Sequence, residues 1–178
     1  MNCSNPLPIV WENYEASRDA LIITKRVLTH DDKERLLFHT TFSAKDSTYA
    51  KRVIENSLKE VEDLFVLSLW SKFERFLRDY LQEKGATLQT TQPTALAQPM
   101  YAYFCDEVEF WKPNQMLDLL KKTLFISHSD LIGQAKQTLA YRDWVAHGKN
   151  LNKHPSSTIK AKFAYKTLNN IVETLLLN

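Results

Sequence analysis

Glycine is scarce in this chain, with three in 178 residues. Hairpin-rich β folds consume glycine at their tight turns and helix interiors avoid it, so the scarcity argues against a β architecture. Cysteine is scarcer still. Cys3 and Cys105 stand far apart with no C-x-x-C spacing, which argues against a disulfide scaffold or a zinc knuckle and fits a reducing cytosol. No uncharged apolar run approaches the roughly 20 residues that a membrane span needs. The opening residues Met1-Asn2-Cys3-Ser4-Asn5-Pro6 lack a basic segment followed by an apolar one. No signal peptide is therefore expected, and the cytoplasm is the expected location. A net charge of only +2 provides no strong field to hold nucleic acid non-specifically, so any such ligand must be bound locally, in a groove, or transiently. The chain also lacks a P-loop, a G-x-G-x-x-G and an H-E-x-x-H, and it suggests no cofactor.

What remains has the composition of an ordinary soluble domain, 44% hydrophobic and 25% charged, and is long enough for one real core. Helical spacing of Ala16, Ala20, Ile23 and Val27 predicts a first helix over about residues 13–28. Asp31 and Asp32 begin a short second piece. Residues 47–84 contain neither proline nor glycine. There Ala50, Ile54, Leu58, Val61, Phe65, Leu69, Phe73, Phe76 and Tyr80 form one long apolar stripe, with room for a break near Asn56-Ser57. Gly85 supplies a stop. Residues 86–100 are polar, uncharged and proline-bearing and read as a loop. The aromatic, acidic stretch 101–111 has no clear period. Asn114, Ser127 or Ser129, and Ser156 or Ser157 are candidate caps for three later helices. The expectation is an all-α bundle.

Near the end of the second-last helix stands Arg142-Asp143-Trp144-Val145-Ala146-His147-Gly148. A guanidinium clamps a phosphate through a fork of donors, and an imidazole moves protons near neutral pH. Together they suffice for cutting RNA without a metal. With five histidines in the chain, an arginine five residues upstream of one arises easily by chance. The plain alternative is a surface arginine and a histidine that favours the negative end of its helix. Five residues along a helix are about 140° of rotation and 7.5 Å of rise, so the pair does not share a face. Two copies meeting across a symmetry axis would resolve that. Upstream, Leu67, Trp70, Glu74, Leu77 and Leu81 form a second stripe containing one acid. A carboxylate so placed wants a cationic partner, and Arg142 is the candidate, against a simple surface pair with Lys72, Arg75 or Arg78.

Other clusters have bland explanations. His30-Asp31-Asp32-Lys33-Glu34 is better read as helix-start acids than as a metal site, and Ser127-His128-Ser129-Asp130 as capping vocabulary. Tyr101, Tyr103, Phe104, Phe110 and Trp111 read as core or a subunit contact in preference to a base-stacking platform.

The Arg142-Asp143-x3-His147 motif, taken with the segment 69–81, resembles the HEPN superfamily, and within it the RiboL-PSP and MAE-type branches. The resemblance covers about residues 47–178. Residues 1–45 match nothing recognisable and are treated as an N-terminal helical extension of a single domain spanning 1–178. It implies a four- to five-helix bundle, a symmetric homodimer with the site in the dimer groove, and metal-independent endoribonuclease activity in toxin or antiviral defence systems. It also implies a restraining antitoxin or other regulatory protein, and no membrane. Arg142 and His147 would then be catalytic, with Asp143 and Glu74 supporting them and Lys149 and Lys153 guiding the RNA backbone. Many members of the superfamily are non-catalytic, so a helical binding or scaffold module is the alternative.

Overall fold

A computed structural model describes residues 4–178, so Met1 to Cys3, and with them any statement about Cys3 or the start of the chain, lie outside the described residues. The elements in order are α1 (Leu7–Val27), α2 (Lys33–Leu36), α3 (Ser47–Gly85), α4 (Thr94–Phe110), α5 (Pro113–Lys122), α6 (Ser129–Ala146) and α7 (Ala161–Leu176). Short 3-10 turns lie at Ala86–Thr90, Ile126–His128 and Leu151–Lys153, and there is no strand among the described residues. The protein is all-α. No helix among the described residues is long and apolar enough to cross a membrane.

The bundle is organised by α3. Its 39 residues run unbroken through Asn56 and Ser57, a length of about 58 Å. Asp46 caps it, its carboxylate accepting the Thr48 and Tyr49 amides at 2.9 and 3.1 Å. These backbone donors, Tyr49's first, hold the Asp46 carboxyl below its usual range. One stripe could not bury this helix, because it is covered from several sides. Trp11 and Tyr14 of α1 pack on Phe65, and Trp11 also stacks on Tyr165 of α7 at 4.8 Å. On another side α6 packs along the second stripe, and both Trp70 and Leu77 are buried in the main core. The periodicity of α3 therefore reads as more than one seam, since α1, α4, α6 and α7 all pack against it. Leu7 belongs to the main core, so α1 is built into the bundle from its first turn. A smaller cluster of Leu28, Leu37, Ala50 and Ile54 closes the far end.

Several expectations shift. The first helix begins at Leu7, six residues earlier than its periodicity predicts, with Pro8 in its first turn. The polar stretch 86–100 is not a loop: a 3-10 turn leads into α4, which contains Pro99. The stretch 101–111 is the continuation of that helix. Its aromatics divide, with Phe104 and Trp111 edge to face with each other and packed against the core while Tyr103 and Phe110 point to solvent. At α5 the start is Pro113, with the Gln115 side chain accepting the Lys112 amide at 2.8 Å, rather than a cap from Asn114. Neither Ser127 nor Ser129 caps α6, and α7 starts at Ala161 without a serine cap.

Gly85 does end α3, but its backbone is ordinary right-handed helix (φ −66°, ψ −14°). Space is what requires it. A Cβ there would lie 2.2 Å from the Phe104 ring. Gly85→Ala is therefore expected to destabilise the fold by about 1–3 kcal/mol through overpacking, read as a shift of the urea midpoint at constant slope. An unchanged midpoint would show that the ring moves aside freely.

Candidate functional site

Arg142 leaves α6 toward α3. One terminal nitrogen donates to Glu74 Oε2 at 2.9 Å and the other to Asp143 Oδ1 at 2.8 Å. The guanidinium sits 5.7 Å from the Trp70 ring centroid. Glu74 is held by more than Arg142. The Trp70 indole N–H donates to its Oε2 at 2.9 Å, and Arg78 donates to its Oε1 at 2.8 Å. Arg78, whose side chain is only 12% exposed, also donates to the Glu109 and Trp111 carbonyls at 3.2 and 2.9 Å. Arg75 bridges Asp79 and Glu109, and the guanidinium at Arg75 pulls the Glu109 carboxyl below its usual range. Ser71, Glu74, Arg75, Arg78, Glu109 and Arg142 line an open groove of about 320 Å³. The groove thus exposes a partly used guanidinium. Of the five N–H donors that an arginine carries, two are committed among the described residues.

His147 is the C-cap of α6 and is exposed. Its amide still donates to the Asp143 carbonyl at 3.0 Å, so the helical path persists up to it and the offset from Arg142 stays near 140°, while its own backbone (φ −93°, ψ 22°) leaves the helix. Asp143, four residues back, is only about 40° away from His147 on the helix, and it also holds Arg142. The helix then closes as a Schellman motif. The Lys149 amide donates to the Trp144 carbonyl at 2.9 Å and the Gly148 amide to Val145 at 3.1 Å. Gly148 takes φ +75°, as its position after the histidine predicts.

Lys149 follows at φ +58°, unusual for a residue with a Cβ. Its ammonium is bonded to Asp63 of α3. Asp63 is only 6% exposed and also accepts the Tyr141 hydroxyl at 2.6 Å. Burial, reinforced by Asp63, raises the Tyr141 pKa, which keeps that phenol a donor. Lys149 is thus engaged within the chain, while Lys153 is exposed with its ammonium free of any carboxylate among the described residues. Asp63→Ala would leave the Tyr141 hydroxyl buried without its acceptor and free the strained turn. A loss of about 2–4 kcal/mol is expected in chemical denaturation, and a loss below 1 kcal/mol would contradict this role.

The sequence offered both Arg142 and Arg78 as partners of Glu74, and the structure gives it both, whereas Asp63 and Glu109 were missed. Asp63 lies four residues before Leu67, so the second stripe continued one step back already contains it. Glu109 carried no such signal, because its pairing with Arg75 depends on how α4 lies against α3. Among the described residues no group of three or more His, Cys, Asp and Glu is placed to hold a metal ion, and His30 Nδ1 instead accepts the Asp32 amide at 3.2 Å. Comparison with protein-family models, with curated proteins and with solved structures found no match for the chain.

Proposed function

We propose that this chain is a metal-independent endoribonuclease of HEPN type, acting as a toxin or antiviral defence effector in the cytoplasm. The observation that carries the reading is the ion pair between Glu74 and Arg142 at 2.9 Å. It joins the two separate segments on which the HEPN resemblance rests, and it does so beside an open groove.

The chemistry follows from the groups present. The ribose 2′-oxygen attacks the adjacent phosphorus, the bond from phosphorus to the 5′-oxygen breaks, and the strand ends in a 2′,3′-cyclic phosphate. Arg142 binds the non-bridging oxygens with the N–H donors that Glu74 and Asp143 leave unused, and it stabilises the charge of the transition state. His147 takes the 2′-hydroxyl proton or supplies one to the leaving 5′-oxygen. Asp143 and Glu74 are positioning residues for Arg142, and Lys149 and Lys153 lie beside the path of the backbone. Because Arg142 and His147 leave α6 on different faces, the working site is a groove between two copies related by a twofold axis. An antitoxin or other regulatory protein restrains it in the cell.

The test is incubation of the purified chain with RNA in excess EDTA. Fragments ending in 2′,3′-cyclic phosphate are expected, and a strand 2′-O-methylated throughout should survive. Cleavage only on addition of a metal, or products with a free 3′-hydroxyl, would overturn the reading. A second reading is a non-catalytic binding or scaffold module on the same bundle. It is favoured by the fact that both terminal nitrogens of Arg142 already have carboxylate partners. It predicts no cleavage under any of these conditions.

A further inference from the structure

We infer that the outward face of the first two turns of α7, together with the connection that leads to it from α6, is a docking surface for the phosphate backbone of the RNA strand that enters the Arg142–His147 site. The identity of this polyanion rests on the ribonuclease reading; the surface itself rests on charge and placement.

Between Asp143 and Glu173 the chain contains no acidic residue, but it carries Lys149, Lys153, Lys160, Lys162 and Lys166. Residues 144–178 thus hold five lysines against one acid, while the rest of the chain has more acids than bases. The acids Glu12, Glu15 and Glu173 lie around Tyr165, which stacks on Trp11 of α1, but the modest overall charge still conceals an excess along this segment. Two adjacent carboxylates of α3 organise it. Asp63 holds Lys149 at the start of the connection. Glu62 accepts the Ala161 amide at 3.1 Å and lies 3.7 Å from the Lys160 ammonium at its end. Both ends of the connection are thereby pinned to one turn of α3, which places the start of α7 at the same end of the bundle as His147.

Glu62 and Asp63 neutralise Lys160 and Lys149. Lys153, Lys162 and Lys166 are exposed and have no carboxylate partner among the described residues. Elsewhere some basic side chains are paired, as Lys25 is with Glu55, Arg75 with Asp79 and Glu109, and Lys136 with Asp118, but those stretches carry acids as well. Lys162 and Lys166 are one helical turn apart on one face, and Phe163, 37% exposed, lies beside them. His154 packs its ring on Trp144 at 4.6 Å, close to His147 in the chain. Lysines free to meet phosphates, interleaved with rings on which bases can stack, are the combination that single-stranded nucleic acid requires.

The experiment measures binding of a labelled 12-nucleotide 2′-O-methyl RNA, which the chain cannot cut, to the full protein by fluorescence anisotropy. Lys162→Glu with Lys166→Glu is expected to weaken binding at least tenfold and to flatten the dependence of log K on log salt by about 1.4, for two lost phosphate contacts. Lys121→Glu with Lys122→Glu changes the net charge equally but at the opposite end of α6, and should alter binding less than twofold. Equal losses in the two variants, no loss in the first, or competition by polyglutamate as effective as that by unlabelled oligonucleotide would each overturn the surface. The outcome is separable from that of the ribonuclease reading. A wild type that binds through Lys162 and Lys166 without cutting RNA overturns the enzyme and leaves the surface. One that cuts RNA and is indifferent to the reversal overturns the surface alone.

Discussion

Replacing Arg142 with alanine is expected to slow RNA cleavage by about 10³-fold, the scale on which a preorganised donor to a charged transition state contributes. The fold should barely notice. Glu74 keeps Arg78 and the Trp70 indole as partners when Arg142 is gone, so its carboxylate stays compensated. Asp143 is nearly half exposed and can turn to water. The unfolding midpoint should therefore move by no more than about 1 kcal/mol equivalent, as for a partly exposed ion pair. Arg142→Lys should recover little of the rate. A lysine keeps the charge but presents it as a point, and it cannot face Glu74, Asp143 and a phosphate together as the planar fork does. A loss of activity that tracks a large loss of stability would assign Arg142 a structural role instead.

Glu74→Ala should show the opposite balance, with a destabilisation of about 3–5 kcal/mol, the range found when one partner of a buried charge network is removed. The reason is what it strands. Arg78 is 12% exposed and Arg142 26%, and both face the same carboxylate at 2.8 and 2.9 Å. Without Glu74 two guanidinium groups would confront each other across a half-buried site, and the Trp70 indole would lose its acceptor. Glu74→Gln keeps the shape and one acceptor oxygen, so it should fall between wild type and alanine. Cleavage should decline in both, because Arg142 is no longer aimed. Urea unfolding measures the first effect and initial rates on folded protein the second. An alanine variant as stable as wild type would show that the network is solvated rather than mutually dependent.

The two halves of the site differ in how far the sequence discloses them. The end of α6 was legible because its signals are local: a glycine directly after the C-cap histidine, and a backbone that closes through contacts within five residues. The Glu74–Arg142 pairing was half legible. The second stripe on α3 showed a carboxylate facing the bundle and named Arg142 as its partner against a surface pair with Arg78; the structure gives Glu74 both. The Asp63–Lys149 tie spans 86 residues, and the spacing around Lys149 gives no hint of it.

The fold shows the same division. The bounds of α3 were visible, since neither proline nor glycine interrupts 47–84, but its length left open a break near Asn56-Ser57 that the structure does not have. α4 was not, because Pro99 and a run of uncharged polar residues mimic a loop. Pro99 is tolerated where it stands because it and Ala95, whose carbonyl loses its usual donor, are both exposed, so water can take that donor's place. The splitting of the aromatic cluster followed from the same oversight. Once residues 94–110 form one helix, Tyr103 and Phe110 fall on a different face from Phe104 and Val108.

The central claim is that Arg142 and His147 together cut RNA without a metal. Initial rates of RNA cleavage in excess EDTA, for wild type, Arg142→Ala and His147→Ala at matched folded concentration, test it most directly. Robust cleavage by the wild type and losses of at least about 10²-fold in each variant are expected. Wild-type cleavage indistinguishable from that of the two variants, whether high or absent, would contradict it.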